Sequence, residues 1–187
     1  MDPEVLAAMA RWPDVPDVYG WLALDGRGNW LLRGEPIGNA SIRAFIGRNY
    51  AADASGRWYL QNGPQRVFVR LAAAPWICRF DGDRIVAHDG RRIAALRRAL
   101  LDDDGRLWLD TDIGPAIVDD RDGALVLERI VDGGGAPLGV EAIEAWLRGE
   151  RTAWLRSGSG GMPVAIGRLP RAEIPRALAF EPDPRPA

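Results

Sequence analysis

Short apolar runs separated by glycine-bearing turns fill the first 120 residues. Leu24-Asp25-Gly26 leads to Trp30-Leu31-Leu32 and then Gly34, and Phe80-Asp81-Gly82 leads to Ile85-Val86 and then Gly90. Apolar residues that flank a turn in this way read as hairpins. Residues 41–46 and 92–96 then place apolar side chains at i, i+3 and i+4, which predicts a short amphipathic helix in each case. Asn39 or Ser41 suits the N-cap of the first. An Asp–Gly turn follows each helix, Asp53 to Gly56 and Asp102 to Gly105, and a second hairpin comes after it. Trp58-Tyr59-Leu60 with Val67-Phe68-Val69 matches Leu107-Trp108-Leu109 with Ile117-Val118. The offset between matching features runs from 56 to 49 to 51 residues.

The pattern predicts an α+β fold of tandem hairpin–helix–hairpin (ββαββ) units with mostly antiparallel strands. The expected organisation starts with an N-terminal helix and lead-in over 1–18, the helix itself at 3–12 with Pro3 in its first turn. The first ββαββ unit follows over 19–77 and the second over 78–120. A divergent third unit spans 121–180, with a strand at 122–127, a helix at 140–148 and a closing hairpin from 154–155 and 162–166. Gly133-Gly134-Gly135 and the Ser/Gly run 157–161 read as flexible loops. The alternating prolines of 181–187 read as a disordered, extended tail.

Composition narrows the chemistry. The 187 residues carry 24 basic and 26 acidic side chains, a net charge of −2, one histidine and one cysteine. Every basic residue is Arg, so lysine Schiff-base and P-loop chemistry are excluded, and a lone histidine excludes a multi-His metal site. No cofactor or metal is expected. The acidic balance argues against a general nucleic-acid partner. No apolar run reaches the ~20 residues of a membrane span, and the acidic N-terminus lacks the basic start of a signal peptide. A single cysteine suits a reducing cytoplasm.

The scarce neutral amides are confined to one stretch. Asn29, Asn39, Asn49, Gln61, Asn62 and Gln65 are all the Asn and Gln in the chain. Eleven of the 15 aromatic residues lie between Trp12 and Phe80. Amides both donate and accept without charge, which suits recognition of a polar ligand. Arg48-Asn49-Tyr50 closes the predicted helix and Gln61-Asn62-Gly63-Pro64-Gln65-Arg66 forms the next turn. Arg48 and Arg66 could grip a carboxylate or phosphate there. Each amide alone also fits a cap or turn role. The equivalent turn of the second unit, Asp110-Thr111-Asp112-Ile113-Gly114-Pro115, is acidic instead. The eight Asp of 102–122 lack EF-hand spacing and read as solvated turns. The paired arginines 91–92 and 97–98 read as one helix edge facing those acids.

The residues Trp30, Gly34, Pro36-Ile37, Phe45, Asp53, Gly56, Tyr59-Leu60, Pro64, Val67, Val69 and Pro75-Trp76 form a pattern that resembles uncharacterised proteobacterial proteins. These belong to the domain-of-unknown-function group twelve-eighty-five, or to a sister family. The similarity is clearest over residues 25–80. The resemblance implies a small α+β protein of repeated motifs, with a ligand-binding or signalling-related role and no functional residues to carry over.

Three functions follow. The leading one is a non-catalytic cytoplasmic module that binds a small polar or anionic ligand. Its residues would be Arg48, Asn49, Tyr50, Gln61, Asn62, Gln65 and Arg66, with Trp58 or Trp76 as an apolar wall. The second is a hydrolase-like enzyme pairing Cys78 with His88. The third is a structural homodimer through sheet edges or Trp146 and Trp154.

Overall fold

The structure, a computed structural model, describes residues 1–12, 15–156 and 162–186. It is α+β, and the chain divides into two compact units, residues 1–75 with 175–187, and residues 76–174. No described helix is long and apolar enough to cross a membrane.

The first unit comprises α1 (Pro3–Arg11), β1 (Val18–Leu24), β2 (Trp30–Leu32), β3 (Glu35–Pro36), α2 (Ala40–Arg48), β4 (Tyr50–Ala52), β5 (Trp58–Asn62) and β6 (Gln65–Leu71). Its sheet runs β3-β2-β1-β6-β5-β4. The central pair β1 and β6 is parallel and the other pairs are antiparallel. Helix α2 begins where Asn39 Oδ1 accepts from the N–H groups of Ser41 and Ile42, at 2.9 and 3.2 Å. Strand alternation puts Leu22, Leu24, Trp30, Tyr50, Trp58, Leu60, Val69 and Leu71 on one face, and all are buried. Between Val18↔Val67 and Leu22↔Val69 the register slips. Three residues of β1 there oppose one of β6, and Gly20, at φ +75°, takes the conformation this bulge needs.

The second unit comprises β7 (Trp76–Asp81), β8 (Arg84–Ala87), β9 (Arg92–Ile93), β10 (Leu96–Leu101), β11 (Leu107–Thr111), β12 (Gly114–Val118), α3 (Gly123–Leu127), β13 (Ile130–Val131), α4 (Val140–Leu147), β14 (Trp154–Leu155) and β15 (Val164–Arg168). Its sheet runs β13-β14-β15-β10-β11-β12-β7-β8-β9, with β7–β12 and β10–β15 parallel. A short helix, α5 (Ile174–Ala177), follows.

The ββαββ unit expected from sequence is not what forms, and the strands are mixed. The strand order β3-β2-β1-β6-β5-β4 recurs as β9-β8-β7-β12-β11-β10, including the parallel central pair. The helix between the halves does not recur. Residues 92–96, expected as a helix, run through β9, the bend at Ala94 and Ala95, and the start of β10, so Arg92, Arg97 and Arg98 are strand residues. Asp112 Oδ1 accepts from Ala94 N and Ala95 N at 3.0 and 3.1 Å, which holds the bend between the strands. Cross-strand pairing of Ile93 with Ile85 and of Ala99 with Leu109 overrides a high helix propensity. Residues 122–127, expected as a strand, form a 3-10 turn and α3 instead. The helix at α4 and the antiparallel pair β14–β15 occupy the positions expected for them.

The proline-rich tail is extended but docked rather than disordered over its described part. Glu181 N donates to Gly56 O at 3.0 Å and Leu71 N to Pro182 O at 2.8 Å, both within the first unit.

Candidate functional site

The amide cluster sits on the sheet of the first unit, and the structure divides it. Asn49 and Gln61 form a cross-strand pair next to Tyr50↔Leu60, with Gln61 N donating to Asn49 O at 2.9 Å. Such a pair shares one face of the sheet. Both side chains are 1 % exposed. Arg48 follows from the end of α2. Tyr50 and Trp58 belong to the opposite, buried core face, where their rings meet at 4.8 Å. Burial pushes the Tyr50 phenol well above its ordinary value. Asn62 is exposed at the hairpin turn. Gln65 donates to Pro16 O at 3.2 Å. Trp76 lies in the second unit, buried, with its indole N–H donated to Ile113 O at 2.7 Å. It is therefore a core residue of that unit.

Arg48 and Asn49 do grip a carboxylate, and it is the chain's own. Arg48 Nε donates to both oxygens of Asp2, at 3.1 and 3.2 Å. Asn49 Nδ2 donates to Asp2 Oδ2 at 3.1 Å and to Phe45 O at 3.0 Å, while Asn49 Oδ1 accepts from Asp2 N at 2.7 Å. The hydrogen bonds from Arg48, then Asn49, hold the Asp2 carboxyl below its usual range. Gln61 Nε2 donates to Gly63 O at 2.9 Å, and Gln61 Oε1 has no hydrogen-bond partner among the described residues.

The same sheet face continues into a layer of arginines laid on rings. Arg66 lies over Tyr59 at 5.1 Å, Arg57 over Phe68 at 4.7 Å and Arg33 over Trp21 at 3.9 Å. The bulge at Gly20 lets Tyr19 stack on Phe68 at 4.7 Å. Arg57 is tied to Asp53 at 2.7 Å. Among the described residues Arg33, Arg66 and Arg70 have no carboxylate in salt-bridge range. A guanidinium flat on a ring keeps its in-plane N–H groups free for an anion. A cleft of about 500 Å³ beside Arg57 is lined also by Glu181, Asp183, Pro184 and Arg185. Asp2, Trp21, Arg33 and Arg57 escaped the sequence reading. The strand alternation of Tyr19, Trp21 and Ala23 could have marked this face, but nothing local could join Asp2 to residues 46 and 47 positions away.

Other candidates fare differently. Cys78 is fully buried, its Sγ donates to Ile117 O at 3.4 Å, and burial pushes the thiol far above its ordinary value. His88 Nδ1 accepts from Ile77 N at 3.3 Å. The thiol is thus committed to a backbone carbonyl, where a thiolate is disfavoured. The carboxylates of Asp102, Asp103 and Asp104 come together, but Asp102 accepts from Asp104 N, Arg106 N and the Trp108 indole, and Asp103 and Asp104 accept from Arg171. They serve a turn and an ion pair. The Ser/Gly run 157–161 lies outside the described residues.

No curated protein matches the chain. Two solved structures do. A DUF1285 family protein from Silicibacter pomeroyi DSS-3 superposes with a TM-score of 0.54 at 16% identity, covering 93% of this chain and 99% of that one. A DUF1285 family protein from Shewanella baltica OS155 gives a TM-score of 0.46 at 14% identity, covering 56% of this chain and 88% of that one. The first likeness extends the resemblance read from sequence to the fold, and to the fold alone. Residues 1–185 match the family DUF2944, described as a protein of unknown function (DUF2946), and the chain belongs to that family.

Proposed function

We propose that the chain is a non-catalytic binding module for a small anionic ligand, with a carboxylate held by Arg48 and Asn49 in the first unit. The observation that carries this reading is the grip on Asp2. A guanidinium and a carboxamide already converge on a carboxylate there, with donors at 3.1 to 3.2 Å. Charge-assisted bonds of this kind give both strength and orientation. Arg33 and Arg66 on the same face, without a carboxylate in salt-bridge range among the described residues, add a positive field that would draw an anion in. The single, buried cysteine suits work in a reducing cytoplasm.

The test uses the chain's own eight tryptophans as reporters. Carboxylates and neutral analogues are screened by thermal shift and tryptophan emission. A ligand at a hundred times its dissociation constant should add ~2.7 kcal/mol of stability. Arg48→Ala should abolish the response. If no carboxylate shifts the wild-type chain or a variant lacking the Asp2 carboxylate, the reading is wrong.

A further inference from the structure

Helix α1 lies across the amide end of the sheet face. Asp2 bonds to Asn49 at one end, and a Cβ built on Gly63 would stand 3.8 Å from the Ala8 Cβ at the other. Residues 2, 5 and 8 advance by nearly one turn each and so share a stripe. Val5, the buried residue of α1, therefore stands between those contacts, on the ground that Asn49 and Gln61 occupy.

The cover matches only half of what it covers. At Arg48 and Asn49 it supplies a carboxylate and an N–H, and both are bonded. Between its contacts at Asp2 and Ala8, α1 carries the apolar Val5 on this stripe and no side-chain donor. The bond from Gln61 Nε2 to Gly63 O fixes which way the amide points, and Oε1 is left as a buried acceptor without a partner among the described residues. A buried carbonyl oxygen without a donor bears its desolvation uncompensated. An occupant that brought a donor there would relieve that cost.

We infer that the ground beneath α1 is a binding site for a small carboxylate bearing an N–H donor, an amino acid or its N-acyl derivative, and that Asp2 is its competitor within the chain. The ligand carboxylate replaces that of Asp2 on Arg48 and Asn49, and its N–H donates to Gln61 Oε1. Opposed residues of an antiparallel pair hold their Cβ atoms about 5 Å apart, a span that a molecule of this size bridges. This inference rests on the carboxylate reading above and adds the donor and the displaceable helix.

Two isosteric probes separate these claims on the full chain. N-acetylglycine carries a carboxylate and an N–H, and levulinate has a methylene in place of that N–H. Binding is followed by titration calorimetry and tryptophan emission. N-acetylglycine should bind more tightly than levulinate by about tenfold or more, as expected of a site built to pair an N–H. Asp2→Ala should tighten N-acetylglycine by about tenfold, because more molecules then have the site open. An Ala8→Cys/Gly63→Cys disulfide, whose Cβ separation suits a bridge, should abolish binding until it is reduced. Should Gly63→Cys fail to fold, Gln61→Leu serves instead, and should erase the preference for N-acetylglycine over levulinate. Equal affinity for both probes in Asp2→Ala overturns the donor claim and leaves the carboxylate reading standing. Binding indifferent to both Asp2→Ala and the disulfide overturns the displaceable helix. No binding of either probe to folded Asp2→Ala overturns the inference and the carboxylate reading together.

Discussion

A five-residue loop recurs through the chain, and single residues in it reveal what each copy carries. At Asp25, Asp53, Asp102 and Asp132 the aspartate Oδ1 accepts from the backbone N–H groups two and four residues on. The fourth residue is Gly, with φ between +74° and +85°. Asp and Gly are thus fixed by hydrogen bonding and by backbone sterics, not by ligand chemistry. Two of these glycines should part company on substitution. A Cβ at Gly105 meets nothing within 4 Å, whereas one at Gly56 would fall 2.4 Å from Ala179 O. Gly105→Ala should cost about 1 kcal/mol from its backbone angle alone, and Gly56→Ala at least ~2 kcal/mol more from the collision, read as shifts in urea midpoint. A second residue-scale effect is acid sensitivity at Asp119. Its side chain is 1% exposed and bound by Arg121, whose hydrogen bonds hold the carboxyl far below its usual value despite opposing desolvation. A folded-state pKa below the unfolded ~3.9 stabilises fully above that value and is lost as pH falls toward the folded one. The wild-type midpoint should therefore hold from pH 7 to about pH 5 and fall below pH 4. Asp119→Asn should be weaker at pH 7 and flatter in acid.

At the scale of elements, the sequence was readable where a signal was local. Hairpins β1–β2, β5–β6, β7–β8 and β11–β12 stand where apolar runs flank turns, and α2 is capped by Asn39, one of the two caps that its sequence offers. Asn39→Ala should lower stability by about 1 kcal/mol by removing the acceptor for two first-turn N–H groups, and Asn39→Asp should restore it; chemical denaturation distinguishes the two. What was not readable was decided at a distance. The run Arg91 to Arg98 is helix-like in propensity, yet its pairing partners lie on β8 and β11. Residues 122–127 look strand-like until Asp122 is seen accepting from Arg79 and Phe80 N, which turns the chain there. The candidate site divides on the same line. Composition singles out the adjacent residues Arg48 and Asn49 and the turn that follows Gln61. Asp2, the carboxylate they hold, lies 46 and 47 positions away from them and carries no local signal. Period-two alternation sends Trp58 and Tyr50 to the core face, opposite Asn49 and Gln61, which composition alone does not reveal.

At the scale of the whole molecule, the chain begins and ends in the same unit. Residues 175–187 complete the unit that residues 1–75 begin, and residues 76–174 form the other between them. The completion has identifiable atoms. Leu71 N on β6 donates to Pro182 O, Gly56 O accepts from Glu181 N, and Leu178 and Phe180 are buried. Removing these partners exposes apolar surface and orphans backbone groups in the loop and strand that border the arginine layer. The second unit has no such debt, since its sheet and its buried Leu109, Ala116, Ile117 and Leu155 all lie within one continuous stretch. Expressed alone, residues 76–174 should therefore fold with a cooperative thermal transition and protected amides. Residues 1–75 alone should not, and should gain a transition when residues 175–187 are joined to them through a flexible linker. Hydrogen exchange on the three fragments reads the outcome directly. Protection of residues 1–75 without the C-terminal segment would show that β6 and the Gly56 loop hold without it. The steric reason given for Gly56 would then have to be sought in the loop itself, and the cleft beside Arg57 would lose the wall that makes it a cleft.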